Sequence, residues 1–118
     1  MLYTADLTEC SALSTLSRDA IRHMFIDVLT RAGATVVEQA SHDFPGGGLT
    51  CTLILAESHA TLHTWPENNT VNLDIFSCSP RLKSLSAIDE LGRVLGARHT
   101  SVRETARADG HRPAAVTG

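Results

Sequence analysis

Two stretches of alternating sequence, with a dense polar run between them, fix most of what this chain can become. From Leu49 to Ala56, Leu49, Cys51, Leu53 and Leu55 fall on one side, and Thr50, Thr52, Ile54 and Ala56 on the other. From Val71 to Ser77, Val71, Leu73 and Ile75 alternate with Asn72, Asp74 and Phe76. Successive strand side chains point to opposite faces, so each stretch predicts a strand with one buried face. Between them runs Glu57-Ser58-His59-Ala60-Thr61-Leu62-His63-Thr64-Trp65-Pro66-Glu67, which includes a serine, two histidines, the only tryptophan and two carboxylates. Reactive groups held between two strands have a rigid support.

The flanking sequence predicts the rest of the fold. Leu2–Leu7 reads as a first strand, and Thr8–Ser14 as a polar connection. Ile21, Met24, Phe25, Val28, Leu29 and Ala32 recur at helical spacing, so a helix buried on one face is expected over Ser17–Ala32. Ser17 caps its start, Asp19 suits the positive end of its dipole, and Gly33 ends it. Ala34–Ala40 is expected as a second strand and Ser41–Gly48 as a glycine-rich loop. A short strand is expected at Thr61–Thr64, and a turn at Asn68-Asn69. Pro80 reads as the first residue of a second helix capped by Ser79, with Leu82, Leu85, Ile88, Leu91 and Leu95 as its stripe and Gly96 at its end. His99–Arg103 reads as a last strand, and residues 106–118 as a loose tail. This order predicts an α+β fold: a two-layer sandwich in which an antiparallel sheet carries both helices on one face. Residues 1–105 are expected to form one domain. The other sheet face, with Phe76 and Cys78, then needs a partner.

Composition excludes several classes. A net charge of -3 with scattered Lys and Arg leaves no basic stripe, so no nucleic-acid partner is expected. No apolar run approaches the roughly 20 residues of a membrane span, and no signal peptide is legible. Cys10, Cys51 and Cys78 are odd in number and widely spaced, which reads as free thiols in the cytoplasm. No Cys-x-x-Cys is present and no metal site is expected.

The run from Glu57 to Glu67 also carries a resemblance. Glu57-Ser58-His59, then His63-Thr64-Trp65-Pro66-Glu67, then a strand ending at Cys78, closely resembles the prokaryotic S-adenosylmethionine decarboxylases. The likeness is strong from Phe44 to Cys78 and weaker as far as Glu104. That family cuts its own chain between Glu and Ser, and the serine becomes a pyruvoyl group, its built-in cofactor. Decarboxylating an α-amino acid leaves a carbanion that needs an electron sink, which no unmodified side chain provides. Lys83, the one lysine, lies among polar neighbours on the second expected helix, an unpromising anchor for pyridoxal phosphate.

The resemblance implies a role for each matching residue. Ser58 would be the pyruvoyl precursor and the Schiff-base position, and Glu57 the other side of the cut. His63 and Thr50 would assist processing, and Cys78 would return a proton after decarboxylation. Phe44 and Trp65 would stack on adenine, and Glu67 would bind the ribose hydroxyls of a small-molecule substrate. Cleavage would leave chains 1–57 and 58–118. A homodimer is implied, with sites at or near the subunit contact. His59 and Asp74 keep open roles. The chain departs from the family at Leu2, Thr8-Glu9, Asn68-Asn69-Thr70 and Ser79. Leu2 and Thr8-Glu9 leave room for an arginine or ornithine decarboxylase on the same scaffold. An uncut binding or regulatory subunit is the third reading, opposed by intact Ser58, His63 and Cys78.

Overall fold

The computed structural model describes residues 1–108. Six strands make one sheet: β1 (Leu2–Thr8), β2 (Val36–Asp43), β3 (Leu49–Leu55), β4 (Ser58–Trp65), β5 (Thr70–Ser77) and β6 (His99–Thr105). Their order is β2-β3-β4-β5-β1-β6, and every pairing is antiparallel. Helix α1 (Arg18–Arg31) packs on β2 and β3, and α2 (Ser84–Leu95) on β1 and β5. The expected two-layer α+β sandwich is the observed one.

Alternation decides which face is covered. Leu49, Cys51, Leu53 and Leu55 of β3, Ala60 and Leu62 of β4, and Val71, Leu73 and Ile75 of β5 are all buried, together with Phe25, Val28 and Leu29 of α1 and Ile88, Leu91 and Leu95 of α2. Burying a side chain of this size contributes roughly 1.5–3 kcal/mol, so this one layer carries most of the apolar stabilisation. Ser17 caps α1 as expected, its hydroxyl accepting from the Ala20 N–H.

Three boundaries differ from the sequence expectation. Helix α2 begins at Ser84, not Pro80. The Lys83 N–H donates to Ala32 O at 2.8 Å, and Lys83 takes a non-helical φ of -90° and ψ of 77°. The segment before α2 is thus tied to the end of α1, with Leu82 buried there and Leu85, at 49 % exposure, turned outward. Gly33 permits this closeness: it holds φ +106°, and a Cβ there would lie 2.2 Å from the Arg81 carbonyl oxygen. Strand β2 runs on to Asp43 through residues expected as loop, because it pairs with β3 as far as Asp43–Leu49 and Asp43 is gripped by Arg22 and Arg18 of α1. Strand β4 is longer than Thr61–Thr64 because it pairs with β3 from Ser58 to Thr64 and with β5 from Ser58 to Trp65.

The Arg22 guanidinium holds the Asp43 carboxyl below its ordinary 3.8. A lowered carboxyl stabilises the fold above its unfolded pKa and ceases to as pH falls through the folded value, so this tie weakens only in acid. The Asp43 side chain is 42 % exposed, so solvent screens the pair and the contribution is small. Ala106–Ala108 have no regular structure, although the Arg107 guanidinium lies 4.8 Å over the Phe76 ring. The remainder of the expected tail, 109–118, lies outside the described residues. Among those described, no helix is long and apolar enough to cross a membrane.

Candidate active site

The residues singled out in the sequence gather at the two ends of β4. One group lies at the β3–β4 hairpin. Leu55 pairs with Ser58, so Ala56 and Glu57 form a two-residue turn. Such turns favour positive φ at the central residues, which matches the strand twist. Neither Ala56 nor Glu57 has positive φ; Ser58 does, at +155°. A non-glycine residue held there costs on the order of 1–3 kcal/mol. The Glu57–Ser58 bond therefore sits in strained backbone. The Glu57 side chain anchors the turn by accepting from the Thr35 N–H at 2.9 Å.

Around that bond stand a hydroxyl, an imidazole and two donors. Ser58 Oγ lies 3.3 Å from His59 Nδ1. The His59 ring is stacked on Phe76, with centroids 5.8 Å apart. The Glu57 carbonyl oxygen accepts from both the Cys78 N–H and the Cys78 Sγ, each at 3.3 Å. Two donors on one carbonyl oxygen stabilise negative charge that develops there. Cys78 is exposed, whereas Cys10 and Cys51 are buried and their thiol pKa values are raised by desolvation.

The second group lies at the far end of β4. A cleft of about 440 Å³ is lined by Phe44, Leu49, Thr50, His63, Trp65 and Glu67, among others. Phe44 and Trp65 are 46 % and 48 % exposed, which leaves aromatic surface available to a ligand. Thr50 Oγ1 and His63 Nδ1 are hydrogen-bonded at 2.8 Å across the β3–β4 pair. The loop between β2 and β3 turns at Gly47, with φ +97°, and is braced by Arg18, which donates to Phe44 O at 2.8 Å. His42 meets the Phe44 ring edge-on. Trp65 is fixed by a relay: its Nε1 donates to Asn72 Oδ1 at 2.6 Å, and Asn72 Nδ2 donates to Asp6 Oδ1 at 2.7 Å. Arg18, Asp6 and Asn72 were not singled out as site residues. Asn72 could have been, since it shares the open face with Trp65; Arg18 and Asp6 leave no local signal.

The structure thus joins Phe44, Thr50, His63, Trp65 and Glu67, and separately Glu57, Ser58 and Cys78. It does not join the two sets. His63 is five residues from Ser58 on one strand, roughly 16 Å away. His59 and His63 stand four apart, a spacing that would pair them on a helix but leaves them roughly 13 Å apart on a strand. Among the described residues no cluster suited to a metal is present.

An open sheet face with an aromatic slot, a carboxylate and a hydroxyl–imidazole pair has the parts of a small-molecule enzyme site. Comparison with known proteins narrows that class. The family model for S-adenosylmethionine decarboxylase matches residues 1–108. The S-adenosylmethionine decarboxylase proenzyme of Clostridium tetani is 32 % identical over 112 residues, covering 95 % of this chain and 89 % of that protein. The one from Shouchella clausii is 31 % identical over 106 residues, covering 90 % and 82 %. The crystal structure of the adenosylmethionine decarboxylase from Aquifex aeolicus shares the fold, with a TM-score of 0.75 at 24 % identity over 86 % of this chain and 84 % of that one. The chain belongs to the S-adenosylmethionine decarboxylase family, whose members are carboxy-lyases.

Proposed function

We propose that this chain cuts itself between Glu57 and Ser58 and then decarboxylates S-adenosylmethionine, the product serving polyamine synthesis. The observation that carries the reading is the Glu57 carbonyl, strained, beside the Ser58 hydroxyl, and bonded by both donors of Cys78. Attack by Ser58 Oγ on that carbonyl moves the acyl group from nitrogen to oxygen. The oxyanion formed on the way is met by the Cys78 N–H and thiol. Loss of the Ser58 Cα proton then expels Glu57 as a free carboxylate, and water replaces the residue-58 nitrogen, which departs as ammonia. The products are chains 1–57 and 58–118. These residues fit a pyruvoyl group at position 58, which supplies the electron sink for decarboxylation.

The chain's own groups do the remaining work. Phe44 and Trp65 offer π-faces to adenine and to a sulfonium, Glu67 accepts from ribose hydroxyls, and Cys78 holds a proton at the 57–58 junction. His63, with its hydroxyl partner Thr50, moves protons during processing. The two half-sites, roughly 16 Å apart, meet when a second copy of the chain lies on the open sheet face. A two-fold axis across that face sets the hairpin end of one β4 against the aromatic end of the other. Ile54, 48 % exposed, and half-buried Phe76 give this face its apolar centre. The three free thiols suit the reducing cytoplasm.

Carbon dioxide release from S-adenosylmethionine, arginine and ornithine tests the substrate. Release from S-adenosylmethionine alone is expected, and release only from either amino acid would overturn the assignment. Asn72→Ala removes the acceptor of the Trp65 indole. Losing one hydrogen bond of about 1 kcal/mol predicts a KM for S-adenosylmethionine raised about fivefold, with kcat within about twofold.

A further inference from the structure

A second cleft, of about 570 Å³, lies where β5 ends and α2 begins. It shares no lining residue with the Phe44 cleft. Cys78, Ser79, Lys83, Ser84 and Ser86 are among the residues that line it. Three kinds of donor meet here. The first N–H groups of a helix have no acceptor within it, and Lys83 at the cap position of α2 supplies no side-chain cap. Ser84 is 4 % exposed, and its Oγ is the one buried side-chain oxygen or nitrogen without a hydrogen-bond partner among the described residues. Lys83 is the single charged side chain in the lining, and no carboxylate contributes to it. Lys83 Nζ donates to Pro80 O at 3.3 Å and, as an ammonium, has two further protons to give. With the unpaired N–H groups and the unpaired buried hydroxyl it makes a donor-rich surface, and a helix N-terminus favours negative charge.

We propose that this cleft binds a phosphate-type oxyanion, with the N–H groups that open α2, Ser84 Oγ and Lys83 Nζ as its donors. A tetrahedral oxyanion has acceptors enough for all of them, and it satisfies the buried Ser84 hydroxyl that the protein alone leaves unpaired. The cleft borders the cleavage junction through Cys78, but none of its proposed donors takes part in self-cleavage.

Calorimetric titration with inorganic phosphate, at ionic strength held constant with sodium chloride, tests the proposal. It is run on the full chain and on Ser58→Ala, so that its outcome is independent of processing and turnover. Saturable binding of one phosphate per chain is expected in both, with Kd on the order of millimolar. Ser84→Ala and Lys83→Gln are each expected to weaken it about tenfold. Ser84→Asp places a fixed carboxylate at the helix start and should abolish binding, with circular dichroism checking that the variant is folded. The proposal is overturned by the absence of saturable binding, by unchanged affinity in the Ser84 variants, or by acetate binding more tightly than phosphate.

Discussion

Ser58→Ala is expected to yield one intact 12.7 kDa chain where the parent protein yields two, 1–57 and 58–118. Intact-mass measurement separates these outcomes. The parent's downstream chain should be lighter by one ammonia than a chain beginning with serine, and should react with a hydrazine or with borohydride; the variant should do neither. Decarboxylation by the variant should fall to the uncatalysed level, because the electron sink is made from this side chain alone. The fold should survive, since Ser58 lies at the end of β4 and only half-buried. An unchanged or raised melting temperature would show that the loss is chemical. A parent protein that stays whole after long incubation would instead favour an uncut binding subunit. Cys78→Ala removes one of the two donors on the Glu57 carbonyl, and loss of one such donor slows chemistry at a carbonyl about 100-fold or more. Slowed rather than abolished cleavage is the expected pattern, because the Cys78 N–H remains.

Much of this was legible in the residues, and the reasons differ from element to element. Strands β3 and β5 announced themselves because one face of each is buried apolar and the other polar. Helix α1 did so through its Ile21–Phe25–Val28–Leu29 stripe and Ser17 cap. Strand β4 was read too short because Ala60 and Leu62 are the only apolar residues on its buried face, against Leu49, Cys51, Leu53 and Leu55 in β3 and Val71, Leu73 and Ile75 in β5. The start of α2 was missed because the competing bond, Lys83 N–H to Ala32 O, joins residues distant in sequence. For the site, the family resemblance named the candidate side chains, and nothing in the sequence hinted at their division. Residues 58 and 63 look adjacent on paper; on an extended strand they are roughly 16 Å apart. His59, whose role the sequence left open, proves to be the imidazole beside Ser58 Oγ. The Asp6–Asn72–Trp65 relay depends on the pairing of β1 with β5 and of β5 with β4, which no local pattern reveals.

That division makes a second large effect predictable. If one complete site takes its hairpin end from one subunit and its aromatic end from the other, two inactive variants damaged at different ends should rescue each other. Ser58→Ala spoils the hairpin end and keeps Thr50, His63, Trp65 and Glu67. His63→Ala spoils the far end and keeps Glu57, Ser58 and Cys78. Co-expressed, they form mixed dimers in which one of the two sites has both ends intact, so random pairing should restore about a quarter of the parental activity from two nearly inactive parents. Cleavage should reappear only in the His63→Ala chain, and mass measurement on differently tagged chains reads this directly. Ser58→Ala with Cys78→Ala is the control. Both lesions fall at the hairpin end, every mixed site is damaged, and activity should not exceed that of the Cys78→Ala parent. Rescue in the control would mean that Ser58 and Cys78 of one site come from different chains. Absence of rescue in the test pair when mixed dimers are present would mean that each site is built within a single chain. In that case His63 would have no path to Ser58, and His59, 3.3 Å from the hydroxyl, would be left as the base for self-cleavage.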